Sequence, residues 1–217
     1  MALRRGLCGI IAVFSFAVPP AVVSQAAPIR IRAATLLDGR GGVRKNATVA
    51  VQDGKILRVG EEQGVPTYDL PRLTLMPGGI DTHVHLGWHF DADGRIHRGA
   101  VAETAAQAVL YAAENAYRML MGGVTTVQSL GGPEDRDVRD AVARGVLPGP
   151  RIITSLGSIN ERTGPPEQIR LAVRKFRSDG ADVIKVFASA SIREGGGPTM
   201  TAEQVEAACG EARSLGL

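Results

Sequence analysis

Between Ile29 and Leu75 apolar and polar positions alternate in short runs, "IRIRAATLLDG", "ATVAVQDGKILRVG" and "PTYDLPRLTLMP", divided by Asp-Gly and other glycine-containing turns. A period of two marks strands with one covered face, and Asp53-Gly54 between "TVAV" and "KILRV" is a strong hairpin signal. The segment is predicted to be a small antiparallel β module. After Pro77 the rhythm changes to strand then helix, repeated. "GIDTHVHL" precedes an Ala-rich helix from about Val101 to Met121, and "GVTTVQSL" one from about Asp135 to Arg144. "PRIITSLG" precedes a helix from about Pro166 to Ser178, and "ADVIKVFA" one from about Ala202 to Leu215, with Thr201 and Gln204 as its capping box. Four βα units in series predict an α/β fold with a parallel sheet and helices packed outside it.

Strands covered on both faces read as near-continuous apolar runs, so polar positions within them are informative. Asp81, His83 and His85 share one face of the first parallel strand, and Ile80, Thr82, Val84 and Leu86 the other. Lys185 stands between Ile184 and Val186 on the face of Val183 and Phe187. These polar residues are predicted to converge inside the sheet or barrel. Two neutral imidazoles two residues apart on a strand can reach one cation from one side. A hydrogen-bonded core pair is the ordinary reading of an isolated His-x-His. Here the turn before the strand and the lysine on the fourth strand favour metal ligation.

The 217 residues, 44% hydrophobic and 22% charged, have the make-up of an ordinary globular protein of one large or two small domains. The first 26 are set apart. "MALRRG" is a short basic start, "LCGIIAVFSFAV" an apolar run and "SQA" a small-residue cleavage site. Pro19 and Pro20 end the run before the ~20 residues a bilayer span needs, so it reads as an export signal cut after Ala26. The expectation is a periplasmic or secreted protein with no stable membrane insertion after cleavage. Loss of Arg4 and Arg5 leaves 23 basic against 22 acidic side chains, a balance that points to no nucleic-acid partner. Cys8 leaves with the signal, so Cys209 has no partner for an internal disulfide. Its helical face, shared with Val205, Ala212 and Leu215, predicts a buried structural thiol.

"LMPGGIDTHVHL", "GVTTVQSLGG", "LPGPRIITSLG" and "GADVIKVFAS" resemble, in order and spacing, the amidohydrolase superfamily, in particular its imidazolonepropionase-like and prolidase-like dipeptidases. The resemblance runs from about Ala33 to Leu217. It implies a (β/α)8 barrel flanked by a small β-sandwich. The expected organisation is a signal peptide over 1–26, a β-sandwich module over 27–76 and the first four βα units of the barrel over 77–217. It also implies one or two divalent metal ions, zinc foremost, with His83 and His85 as ligands and Lys185 as a carbamate formed with carbon dioxide. A neutral buried amine can add carbon dioxide, and the resulting anion is stabilised by cations. The implied reaction is hydrolysis of C–N bonds in small-molecule amides, dipeptides or N-acyl amino acids, by a metal-activated hydroxide. A cyclic-amide hydrolase of the imidazolonepropionase or hydantoinase kind is the alternative.

The family also uses histidines on strands five and six and an aspartate on strand eight. No residue of this chain matches them, so no catalytic residue is identified. Its four histidines are His83, His85, His89 and His97. A (β/α)8 barrel alone takes about 250 residues, so the chain reads as the front half of an enzyme, or as an inactive truncated fragment. An open half-barrel would expose apolar inner wall and favour homo-oligomers. Where some relatives have a charged pair after the "GVTT" strand, this chain has Gln128 and Ser129. His89 and His97 fall in the Gly- and Asp-rich loop "GWHFDADGRIH", a poor place to hold a metal rigidly. His89 and Trp88 are read there as substrate-facing. Arg193, in the glycine-rich "SIREGGGPTM", is read as meeting a substrate carboxylate or as simply standing in water.

Overall fold

The structure, a computed structural model, describes residues 27–60, 64–98 and 103–217. The export signal expected over residues 1–26 lies outside the described residues. The chain divides after Pro77 into two compact units.

In the first unit, β1 (Ile29–Leu37), β2 (Val43–Gln52), β3 (Lys55–Gly60) and β4 (Tyr68–Leu75) form one sheet in the order β3-β2-β1-β4. The β2–β3 hairpin turns at Asp53 (φ 51°) and Gly54 (φ 72°), the left-handed pair that a two-residue turn requires. Asp38 Oδ1 accepts from the Arg40 and Gly42 amides at 2.8 Å each and closes the β1–β2 loop. Leu36, Ala47 and Val49 form the buried cluster, with Val51 and Leu75 against it. Two expectations are corrected. The unit is one sheet among the described residues, not two stacked sheets. It is also mixed, because β4 adds parallel to the free edge of β1 instead of folding across it.

The second unit alternates strand and helix. Its elements are β5 (Gly79–Val84), β6 (His89–Phe90), β7 (Ile96–His97), α1 (Ala105–Met121), β8 (Val124–Ser129), α2 (Glu134–Ala143), β9 (Arg151–Thr154), β10 (Ser158–Ile159), α3 (Pro166–Ser178), β11 (Lys185–Val186) and α4 (Ala202–Ser214). β5, β8 and β9 form a parallel sheet in that order, and β10 pairs parallel with β11. The third strand is interrupted at Leu156, whose φ of +57° is left-handed. Asp182 N donates to Thr154 O and Phe187 N to Ile159 O, each at 2.8 Å, which keeps the fourth strand beside the third across the break.

Helix starts follow side-chain chemistry. Thr104 with Gln107, and Thr201 with Gln204, form capping boxes at α1 and α4. The start near Val101 predicted for α1 falls outside the described residues; the helix begins at Ala105, after the Thr104 cap. Ala112 and Ala116 of α1 pack with Leu86, Val127, Val138 and Ile152. Ile169 and Val173 of α3 meet Ile159 and Ala207 and Ala208 of α4, with Ile184 and Val186 against them. No helix among the described residues is long and apolar enough to cross a membrane.

The turn into β5 gives a first prediction. A Cβ on Gly78 would overlap the Thr125 side chain, with Thr125 Cβ only 2.7 Å away. A Cβ on Gly79 would meet nothing nearer than 3.6 Å. Gly78→Ala is therefore expected to cost about 1–3 kcal/mol through overpacking, and Gly79→Ala less than about 0.5 kcal/mol in either direction. Urea midpoints of the two variants check this; equal midpoints would contradict it.

Candidate metal centre

The C-terminal end of β5 carries the histidine pair. Val84 and Leu86 pack toward α1, which leaves Asp81, His83 and His85 on the opposite side. Asp81 Oδ1 accepts from the His83 amide at 3.0 Å and stiffens the strand end. The two imidazoles have centroids 5.4 Å apart and planes tilted by 56°. His83 is exposed and His85 half-buried, its ring stacked on Trp88 at 4.0 Å. Burial, and then the positive charge of His83 and Lys185, hold the His85 imidazole below its ordinary range. A neutral ring with a free nitrogen lone pair is the form that ligates metal.

Lys185 opens β11, half-buried, with Nζ 4.7 Å from the Phe187 ring centroid. Ile184 and Val186 on either side pack toward α3 and α4, so the strand turns the amine away from the helices. Among the described residues Lys185 has no hydrogen bond or ion pair to a carboxylate.

A cavity of about 620 Å³ opens beside His85, lined among others by His85, Trp88, Arg98, Glu134, Arg136 and Phe187. Its floor is tied to α1, because Asn115 Nδ2 donates to Leu86 O and Trp88 O at 2.8 Å each. Arg98 covers Trp88, its guanidinium carbon 5.3 Å from the ring centroid.

Two placements differ from the sequence expectations. Arg193 lies in an exposed 3-10 turn, Ile192–Glu194, and does not line the cavity. Its loop closes on itself: Ala190 N donates to Gly197 O, and Gly196 N to Ser191 O. The loop after β5 is folded where sequence suggested mobility. β6 and β7 pair His89 with His97, and Asp91 Oδ1 accepts from the Asp93 and Arg95 amides at 2.9 and 2.8 Å. The Arg95 amide, then His97 and the Asp93 amide, hold the Asp91 carboxyl below the usual carboxylate range. The signal was in the text: "DADG" between apolar-aromatic pairs is hairpin chemistry. His89 sits against Tyr111, ring centroids 3.6 Å apart, with a nearly buried side chain.

Sequence reasoning also missed Asp135, fully buried in the first turn of α2. Thr154 Oγ1 donates to its Oδ2 at 3.0 Å, while Oδ1 has no hydrogen-bond partner among the described residues. Burial pushes this carboxyl up to about 6, against the pull of the Ser129 and Thr154 hydroxyls. Ser129, at the strand end where a ligand role was in question, instead accepts from the Leu86 amide at 3.2 Å.

The amidohydrolase family model matches residues 74–217. The chain belongs to the amidohydrolase family. The ochratoxinase of Aspergillus niger is 28% identical to this amidohydrolase over 206 residues, covering 75% of the chain and 42% of the relative. The N-acyl-D-aspartate deacylase of Alcaligenes xylosoxydans xylosoxydans is 43% identical over 58 residues, 25% of this chain and 12% of that one. Among solved structures, a Xaa-Pro dipeptidase with methionine bound in its active site superposes with a TM-score of 0.76 at 24% identity, over 88% of this chain and 55% of that one. That likeness shows a shared mixed α/β fold. The amidohydrolase chain thus spans about half the length of the ochratoxinase and of the dipeptidase.

Proposed function

We propose that this chain is the N-terminal half of an exported, metal-dependent hydrolase of C–N bonds acting on dipeptides or N-acyl amino acids, with residues 77–217 the first four βα units of a (β/α)8 barrel. Family membership supports metal-dependent hydrolysis. The names of the deacylase and the dipeptidase support the substrate class. Export rests on the pattern of residues 1–26.

One observation carries the site. Among the described residues, no protein group hydrogen-bonds the ring nitrogens of His83 or His85, and no carboxylate pairs with Lys185. An exposed imidazole, a half-buried one and a half-buried amine, all left without such partners, fit a cation and its anionic bridge. His83 and His85 would hold the metal, and Lys185, as a carbamate, would supply the anion. When bound, the metal supplies Lewis acidity toward an amide carbonyl and lowers the pKa of a water. The chain's own residues do the rest. The Trp88 stack holds His85 in its rotamer. Asn115 fixes the backbone beneath that stack. Arg98 and Arg136 line the cavity beside Glu103, Glu134 and Asp137 and would be the groups that pair with a substrate carboxylate.

The test is zinc affinity of the full chain with bicarbonate present, together with a carbon-13 carbamate resonance from labelled bicarbonate. His85→Ala is expected to weaken zinc by more than the ~10- to 100-fold typical of losing an outer-shell partner. Lys185→Met is expected to abolish the carbamate resonance. Unchanged affinity in His83→Ala and His85→Ala together would overturn the assignment.

A further inference from the structure

The β6–β7 hairpin and the residue before the α1 cap bring three side chains together that the His83, His85 and Lys185 set does not use. Ligating atoms of His89, His97 and Glu103 all lie within 4.8 Å of one another. His89 Nε2 is 3.1 Å and His97 Nδ1 3.4 Å from the same Glu103 oxygen, Oε1. Tetrahedral zinc, with bonds of about 2.0–2.2 Å, spaces its ligand atoms ~3.4 Å apart.

The tautomers are decided by each ring's other nitrogen. His89 Nδ1 is 3.2 Å from the Gly87 carbonyl oxygen, which only accepts, so Nδ1 carries the hydrogen. His97 Nε2 is 3.1 Å from Asp91 Oδ2, again an acceptor, so Nε2 carries the hydrogen. In each neutral ring the remaining nitrogen, Nε2 of His89 and Nδ1 of His97, points its lone pair at Glu103. With both rings neutral, two lone pairs face a carboxylate oxygen with no hydrogen between them. One proton can bridge only one of these contacts, whereas a metal ion takes both lone pairs and the carboxylate at once. The surrounding bonds are those of a metal site, where each ligating imidazole donates its second N–H to a carbonyl or carboxylate. The His89 and Glu103 side chains are 10% and 13% exposed and that of His97 38%, so water reaches the cluster chiefly from the His97 side.

We infer that His89, His97 and Glu103 bind a divalent transition metal of the zinc type, with Gly87 O and Asp91 orienting the two imidazoles. Two imidazoles and a carboxylate suit zinc or cobalt rather than magnesium or calcium. Three protein ligands leave a fourth position open, and Glu103 also lines the cavity that His85 lines. The site orders the hairpin whose two flanking residues, Trp88 and Arg98, line that cavity.

The test uses the full chain carrying His83→Ala and His85→Ala, titrated with Zn²⁺ by calorimetry and with Co²⁺ by visible absorption. About one ion per chain is expected to remain, with the absorption of tetrahedral cobalt. Adding His97→Ala or Glu103→Gln is expected to weaken that ion by at least ~100-fold. Asp91→Asn keeps the Oδ1 acceptor of the turn but cannot accept from His97, and is expected to weaken it ~10- to 100-fold. Circular dichroism excludes unfolding as the cause. If His83→Ala with His85→Ala removes all bound metal, this site is refuted while the β5 reading stands. If that variant loses none of the metal bound by the parent chain, the β5 reading fails and this one stands. Zinc binding that ignores both His97→Ala and Glu103→Gln also refutes it.

Discussion

Asp135→Asn is expected to stabilise the protein by about 3 kcal/mol at neutral pH and to leave it almost unchanged near pH 4. Asp135 is fully buried, and its carboxyl is raised from 3.8 to about 6. A raised carboxyl binds a proton in the folded chain over a range where the unfolded chain has released it. Its effect on stability is therefore unfavourable above pH 4: stability falls as pH rises from about 4 to about 6, then levels off. Asparagine keeps the shape and an acceptor for the Thr154 hydroxyl, and carries no charge to desolvate. The carboxyls of Asp38, Asp69, Asp91 and Glu203 are lowered and act in the opposite sense, losing stability as pH falls. The difference between wild type and Asp135→Asn isolates the buried group. Urea unfolding of both at pH 4.0, 5.5 and 7.5 measures it. A difference that does not grow with pH would show that Asp135 is neither as dry nor as hard to ionise as its surroundings imply.

Ile169→Ala is expected to cost about 2–5 kcal/mol. Ile169 is fully buried between α3 and α4, and the same cluster backs Ile184 and Val186 on either side of Lys185. Alanine would leave a void beneath β11, so the loss reaches the position of the Lys185 amine as well as global stability. Leu171, two residues on and 54% exposed, is the control: Leu171→Ala is expected to stay within ~0.5 kcal/mol. Thermal or urea denaturation of the pair decides it. Similar costs at both positions would mean that α3 is packed on the other face.

The alternation of strand and helix after Pro77 was legible because each helix carries its own cap and apolar stripe. α3 runs over Pro166–Ser178 as its pattern predicts, and the Thr201–Gln204 box forms as written. The parity argument placed Ile184 and Val186 toward the helices, where they pack. Less legible were features set by contacts distant in sequence. The burial of Asp135 depends on Thr154, 19 residues away, and on Ser129, both at strand ends; along the chain it looks like an ordinary acid in a first helical turn. At the break the left-handed residue is Leu156 and not the neighbouring Gly157, which composition would favour. In the cluster of His89, His97 and Glu103 the pairing of the two histidines could be read from the "DADG" turn, but the arrival of Glu103 beside them is set by the fold. Ile80 was expected under the helices and is 70% exposed, since only the far end of β5 is covered by α1.

The Asn115 clamp divides the stretch after β5 by how freely it can vary. Leu86 and Trp88 have their carbonyls held by α1, and a side chain at Gly87 would collide with the Glu134 carboxylate. Ala92, Asp93 and Arg95, at the far end of the hairpin, have exposed side chains. Substitutions are therefore channelled to this tip, which lies outside the residues that line the cavity, and they leave the ring beneath His85 where it is. The clamp leaves the tip free to drift while the cavity wall behind it stays fixed.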